Sequence, residues 1–466
     1  MKPNPRPPTP DLRPPTSNFP RLTLALSLFL LYIVTLAPSL SWANNGADGG
    51  DLIAAAISNG VAHPSGYPLY LLLVKPFLWI PFGTPAFGAN LFSAVCAIGA
   101  SLIVCEIVSG KRIRAEGILA GFAFGASQLL WSQAVIAEVY ALHAFLIALN
   151  LCLLRSLGEK PSFRNTFQCG IALGLALSNH LTSFFLLPIG LALLIRSSGK
   201  KFWNLALWLL GLSVGLLPYA LLPLWASGHP PVNWGGADSV GGFRWLIMGE
   251  AYRGLLDGAL LLSLSRWGSS ASLLIDQFGI IGLGVVLVGS LFSSERRWSL
   301  LWLVATSLIF AAMYNTSDSY LYLLPAFLAC AIWLGEGLKV VLRANKNLRT
   351  ISMVLCLLAI FWNMIPTMKR VDASQDHRAD EFMVKVLQNV PLNAIIVTSD
   401  DRDTFALWYA REALGVRRDV MLVVERLLQF EWYRQSLKWT YPDLDSASMT
   451  CRTVLDRAVV MSCDPK

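Results

Sequence analysis

Two carboxylates, Asp48 and Asp51, stand close together in a glycine-rich stretch that runs into His63-Pro64-Ser65-Gly66-Tyr67-Pro68-Leu69-Tyr70. No lysine or arginine compensates them before Lys75, although neighbouring like charges repel. Such a pair suits a site that needs a base, since a carboxylate can accept the proton of a hydroxyl. It also suits a hard cation such as Mg²⁺ or Mn²⁺, which prefers carboxylate oxygens. Two ligands without a third nearby favour the base.

The elements that position this loop belong to a membrane. Of 466 residues, 55% are apolar and 14% charged, with a mean hydropathy of +0.54, beyond what a soluble domain of this length carries. The apolar runs predict a mainly α, polytopic bundle of about eleven spans, near 21-42, 87-109, 115-133, 136-155, 167-179, 183-196, 203-225, 273-293, 298-313, 320-338 and 349-366. The segment from Tyr67 to Phe82, with Lys75, Pro68, Pro76 and Pro81, is too short and too interrupted to cross. It reads as interfacial or re-entrant.

Lysine and arginine then set the orientation, because short cytoplasmic loops hold the excess of positive charge. Lys2, Arg6, Arg13 and Arg21 mark the N-terminal tail as cytoplasmic, and Lys111/Arg112/Arg114, Arg155/Lys160/Arg164, Arg196/Lys200/Lys201, Arg296/Arg297 and Lys339/Arg343/Lys346/Arg349 follow on the same side. The turns holding Asp48/Asp51, Glu138, Asn179/His180 and Asp318 carry no Lys or Arg. They share the outer face. The net charge of +8 is thus anchoring charge along the turns, and no nucleic-acid partner is implied. In a bacterium this would be a multi-pass protein of the inner (plasma) membrane, its first span retained as an anchor.

Around the bundle the composition changes. Residues 1-20, rich in proline, lack apolar surface and read as a disordered cytoplasmic tail. The bundle covers 21-366, with outer loops at 43-86 and 222-272, and a polar extracytoplasmic domain covers 371-466. There Ala394 to Thr398 and Asp419 to Val424 read as strands, with a helix from Thr404 to Leu414 between them. Strand, helix, strand implies a small parallel α/β unit. The long loop contributes Asn233-Trp234-Gly235-Gly236 and the outer-side cations Arg244, Arg253 and Arg266, candidates to meet an anion. Six of the eight cysteines lie in apolar spans; Cys451 and Cys463 lie in the outer tail, where a disulfide is compatible with the compartment.

The order Trp42, Asp48-Gly-Gly-Asp51-Leu52, His63-Pro-Ser-Gly66-Tyr67-Pro68-Leu-Tyr70, Glu138-Val139-Tyr140 and Asn179-His180 resembles the GT-C superfamily. Within it the likeness is to bacterial relatives of the transmembrane protein O-mannosyltransferases. It continues through Tyr219 to Leu224, Asn233-Trp234-Gly235, Ser317-Asp318-Ser-Tyr320 and Asp400-Asp-Arg-Asp403. The resemblance implies a GT-C fold and transfer of a hexose, such as mannose, from a polyprenyl-phosphate donor. The hydroxyl acceptor would be a protein Ser/Thr, a lipid or a glycan on the outer face. It maps the acidic positions to Asp48 and Asp51, and Asp51 is favoured as base because it directly precedes a helix expected over Leu52 to Ser58. Trp225 stands where the family often has arginine, which shifts phosphate contact toward Arg244 and Arg253. Donor or acceptor contacts are expected from His63, Tyr67, Glu138, Tyr140, Asn179, His180 and Tyr252 as well. The competing class is a membrane transporter or lipid flippase, but the acids cluster on one side and no repeat is visible.

Overall fold

The computed structural model describes residues 18-110, 112-196, 201-292, 297-344, 346-442 and 458-459. Most of the proline-rich tail, together with Cys451 and Cys463, lies outside the described residues. The helices are, in chain order, α1 (Phe19–Ile33), α2 (Gly49–Ser58), α3 (Pro68–Leu78), α4 (Pro85–Ser109), α5 (Ala115–Gly125), α6 (Gln128–Ala134) and α7 (Tyr140–Glu159). There follow α8 (Phe163–Asn179), α9 (Leu187–Arg196), α10 (Lys201–Gly215), α11 (Leu221–Ala226), α12 (Val240–Ile247), α13 (Leu264–Phe292), α14 (Arg297–Met313), α15 (Leu324–Ala344) and α16 (Lys346–Val371). The tail domain holds α17 (Arg378–Asn389), α18 (Asp401–Trp408) and α19 (Glu431–Thr440), with strands β1 (Ile395–Thr398), β2 (Met421–Val424) and β3 (Ala458–Val459).

Helical segments therefore occupy each of the expected spans, with different bounds. Among the described residues five helices are long and apolar enough to cross a membrane, six if α10 and the segment through α11, bent by 42°, count as one. The span expected over 115-133 breaks at Ser127, whose hydroxyl caps α6 by accepting from the Leu130 amide (3.1 Å). The first span ends at Ile33, well short of Trp42. Beyond it lies Pro38, which has no N–H to continue a helix. The extended backbone is satisfied from elsewhere: Asn90 donates to the carbonyls of Ala37 and Ser39, and the Asp376 carboxylate accepts from the Trp42 and Ala43 amides (2.8 and 2.7 Å). Tyr67 to Phe82 contains only the 11-residue α3, about 16 Å at 1.5 Å per residue, too short to cross.

Bundle packing uses small residues where backbones meet. On α8, an added Cβ at Gly170 would lie 2.2 Å from the Trp208 carbonyl oxygen and one at Gly174 2.4 Å from that of Leu212. On α10, Gly211 and Gly215 are crowded equally, by the carbonyls of Phe167 and Ile171. This contact fixes the outer end of α8, where Asn179 and His180 lie. In the tail domain β1 pairs with β2 and β3, both parallel, in the order β2-β1-β3. The expected parallel unit is present, although its helix is α18 followed by a π-helical turn, Tyr409–Ala413.

Replacing Gly211 with valine is expected to push α8 and α10 apart and cost about 1–3 kcal/mol by overpacking. A lowered thermal midpoint in detergent, with Gly158→Ala as the control at an uncrowded glycine, checks it.

Candidate active site

Helix α2 begins one turn earlier than expected, at Gly49, so Asp48 is its N-cap residue and Asp51 lies inside its first turn. Asp51 is fully buried, and both its oxygens receive N–H donors. Oδ2 accepts from the His63 backbone amide (2.9 Å) and lies 2.7 Å from His63 Nδ1, while Oδ1 accepts from Trp234 Nε1 (3.1 Å). The other imidazole nitrogen, Nε2, lies 3.3 Å from Asp48 Oδ2. His63 thus stands between the two acids and resolves their repulsion. Asp48 differs from Asp51 in keeping 39% of its side chain exposed.

Burial disfavours a charged imidazole, but the charge and hydrogen bonding of Asp48, then of Asp51, outweigh it and hold His63 well above the ordinary histidine value. A hard divalent cation needs several free oxygens. Among the described residues no group of three or more His, Cys, Asp or Glu is placed to hold a metal ion.

Three segments hold the trio. The turn before α3 carries His63, and Tyr67 at its end is kept in the left-handed region (φ 43°), an uncommon conformation that clusters at functional sites. The long loop is stitched to this turn by the Val61 amide donating to the Val232 carbonyl (2.9 Å) and the Trp234 amide to that of Val61 (3.2 Å). That brings the Trp234 indole to Asp51. The third segment is the tail domain's α18. Phe405 stacks on His63 (centroids 5.9 Å apart, 18°), and its carbonyl oxygen would lie 2.2 Å from a Cβ on Gly50. Asp401, at the start of α18, feels the same field: desolvation and the charge of Asp48 push its carboxyl up, with His63 and Arg426 opposing.

The remaining expected residues divide. Glu138 is buried beside Asp48; desolvation first, then the charges of Asp48 and Asp318, push its carboxyl well above the usual range against the opposing influence of His63 and the Asp48 amide. One of its oxygens has no hydrogen-bond partner. Tyr67, Tyr140 and Tyr322 ring His180, at 6.3, 5.6 and 5.8 Å between centroids. His180 Nδ1 lies 2.8 Å from the Thr182 hydroxyl, and Asn179 donates to the Val139 carbonyl (3.3 Å), next to Glu138. Tyr252 enters from the long loop; desolvation raises its phenol, with Asp48 and Asp401 adding to the shift.

Arg244 and Arg253 stay outside this cluster, with side chains 76% and 63% exposed, facing Glu250 at 3.8 and 3.4 Å. Arg266 is structural: it donates to the carbonyls of Ala311, Ala312 and Tyr314 and to Asn315. Sequence reasoning did not pick out Trp234, Phe405, Asp401 or Tyr322 as members of the site. The Asn233-Trp234-Gly235 string was the available signal for the first, whereas the helix from the tail carried none.

With this geometry in view, the fold finds its class. ArnT from Cupriavidus metallidurans, solved bound to undecaprenyl phosphate, superposes with a TM-score of 0.58 at 12% identity over 88% of this chain and 91% of that one. The Archaeoglobus fulgidus oligosaccharyltransferase gives 0.52 at 13% identity over 87% and 62%. The chain is a membrane protein of GT-C fold.

Residues 48–204 match the family model described as the protein O-mannosyl-transferase TMEM260 N-terminal domain, and residues 379–453 match TMEM260-associated domain 2. The protein O-mannosyl-transferase TMEM260 of Mus musculus is 29% identical over 455 residues, 87% of this chain and 62% of that protein. The Dictyostelium discoideum counterpart is 23% identical over 88% of this chain and 58% of that protein. The chain therefore spans about three fifths of the length of these curated relatives.

Gly50→Ala is expected to drive α18 off α2, since a Cβ there has no space. Faster proteolytic release of the tail domain than in wild type would register the undocking. For His63 the folded-state value is the raised one, so its stabilisation is complete below the unfolded value of about 6.5 and lost as pH climbs through the raised value. Thermal midpoints followed upward from about pH 6 should fall in wild type; His63→Gln should be less stable at the start and lack that fall.

Proposed function

We propose that this chain is an integral-membrane glycosyltransferase that moves a hexose, mannose by analogy with the named activity of its relatives, from a polyprenyl-phosphate carrier to a hydroxyl, in the first instance that of a protein Ser/Thr. The observation that carries the reading is the unequal pair of acids. Asp51 has every oxygen engaged, whereas Asp48 presents a partly exposed carboxylate beside a cationic imidazole. Asp48 is therefore the base, in place of the Asp51 favoured from sequence, and Asp51 with His63 positions it.

In the reaction the acceptor oxygen bonds to the anomeric carbon as its proton passes to Asp48. The bond from that carbon to the phosphate oxygen breaks, its electron pair leaving with the prenyl phosphate. Attack opposite the leaving group inverts the anomeric centre. Charge on the departing phosphate is met at the rim by Arg253 and Arg244, which share Glu250 beside Tyr252, and within the cavity by the hydroxyls of Tyr67, Tyr140 and Tyr252 and by His180. The alternation of basic turns supports an extracytoplasmic site with a cytoplasmic N-terminus and an extracytoplasmic tail domain. The solved likeness to a protein holding undecaprenyl phosphate supports a lipid-phosphate donor.

Purified protein, polyprenyl-phosphate mannose and a Ser/Thr acceptor peptide test it. Asp48→Asn should lower turnover by about 10²–10⁴-fold, the loss expected for a general base, and should lower the thermal midpoint less than Asp51→Asn, which disrupts a fully buried hydrogen-bonded carboxylate. EDTA should leave the wild-type rate intact. An undiminished Asp48→Asn rate would remove the base assignment, and no turnover with any lipid-linked sugar would return the chain to the transporter or flippase class.

A further inference from the structure

Between the long loop and α19 lies a groove of about 370 Å³, within the size range of small-ligand sites, that the transfer reaction does not use. Its flat wall is a stacked pair. The His229 imidazole lies on the Trp439 indole with centroids 4.2 Å apart and planes 4° apart, yet Trp439 remains 54% exposed, so the indole keeps an open surface. Two lining residues also carry a polar atom without a partner, the Asn233 Oδ1 acceptor and the Trp432 Nε1–H donor, both closed to the groove until a side chain shifts. Asp238, Glu431 and Gln435 add carboxylate and amide groups.

This chemistry narrows the ligand. Two carboxylates and no lysine or arginine among the described lining residues disfavour an anion, so a lipid phosphate is a poor fit. The walls are a loop and a helix, and no strand edge is open for an extended peptide to join. On β2 the Leu422 and Val424 amides already donate to the hydroxyls of Tyr441 and Tyr433 (3.1 and 2.7 Å). A pyranose meets what remains. Its C–H face suits the electron-rich face of an indole, and its hydroxyls both donate and accept, as Asn233, Trp432, Gln435 and the carboxylates require.

We propose that this groove binds a neutral saccharide, lying against Trp439 and hydrogen-bonded by the exposed Gln435, Asp238 and Glu431, with Asn233 and Trp432 met on a small side-chain shift. It lies next to the transfer site, since Asn233 precedes Trp234 and the rings of Trp432 and Trp234 are 6.1 Å apart. Binding there does not require that the chain transfer sugar. The test uses the full chain in detergent and saturation-transfer NMR with methyl glycosides of mannose, glucose, galactose and N-acetylglucosamine, and with a neutral Ser/Thr peptide as the contrasting probe. At least one glycoside should bind. Trp439→Ala should weaken it about tenfold, the exposed Gln435→Ala should weaken it as well, and Asp48→Asn should leave it unchanged. Binding of none of the glycosides, equal binding by both groove variants, or binding of the peptide in place of saccharide would overturn the proposal.

Discussion

A fully buried carboxylate is the constraint around which one end of this molecule is arranged. Asp51 has no contact with water, and stranding such a charge by removing its partner costs about 3–5 kcal/mol. The chain meets that demand with three N–H donors from two distant segments, the backbone and ring of His63 and the indole of Trp234. Satisfying one carboxylate thus requires the turn before α3 and the long loop to be in place together. The tail domain is then drawn in, because the His63 ring is completed on its flat side by Phe405. Elements separated by hundreds of residues are held in one arrangement by the solvation needs of a single group.

The same constraint separates two acids that look equivalent on paper. Identity of side chain says nothing about how many oxygen lone pairs are free once the chain has folded. Asp51 holds three N–H donors on its two oxygens and is sealed from solvent. Asp48, at the helix cap, meets His63 and keeps 39% of its side chain exposed. A buried imidazolium between them keeps the more exposed acid oriented. The difference in environment follows from position, Asp48 at the N-cap and Asp51 in the first turn of α2.

Much of this was legible in the chain. The apolar runs located the helical segments, because bilayer-scale hydrophobicity is a strong, local signal, and the parallel strands of the tail followed from short β-branched runs around a helix. The cluster of Asp48, Asp51, His63, Tyr67, Glu138, Tyr140, Asn179, His180 and Tyr252 was also within reach of motif and side. Boundaries were not. The first helix stops at Ile33 because Asn90 and Asp376 supply hydrogen bonds to a non-helical chain that still reads as apolar. The exposure of Arg244 and Arg253 and the arrival of Phe405 and Asp401 depend on docking between distant segments, which leaves no periodicity in a sequence.

Docking of the tail also changes the medium around Asp48. Trp234, Phe405, Trp408 and Trp432 form a continuous aromatic contact over the acids, with centroids 5.6 to 6.3 Å apart along the chain of rings. Rings in that position exclude water from one side of the trio, and charges interact more strongly as the surrounding dielectric falls. The attraction between His63 and its two acids is thereby strengthened by a domain that supplies none of the three. Tyr409, whose hydroxyl accepts from the Ala86 amide at the start of α4 (3.3 Å), pins that roof to the bundle itself. An α/β domain that looks separable by composition is, by its contacts, a wall of the same site, and the polar face of the membrane bundle is complete only when it is seated.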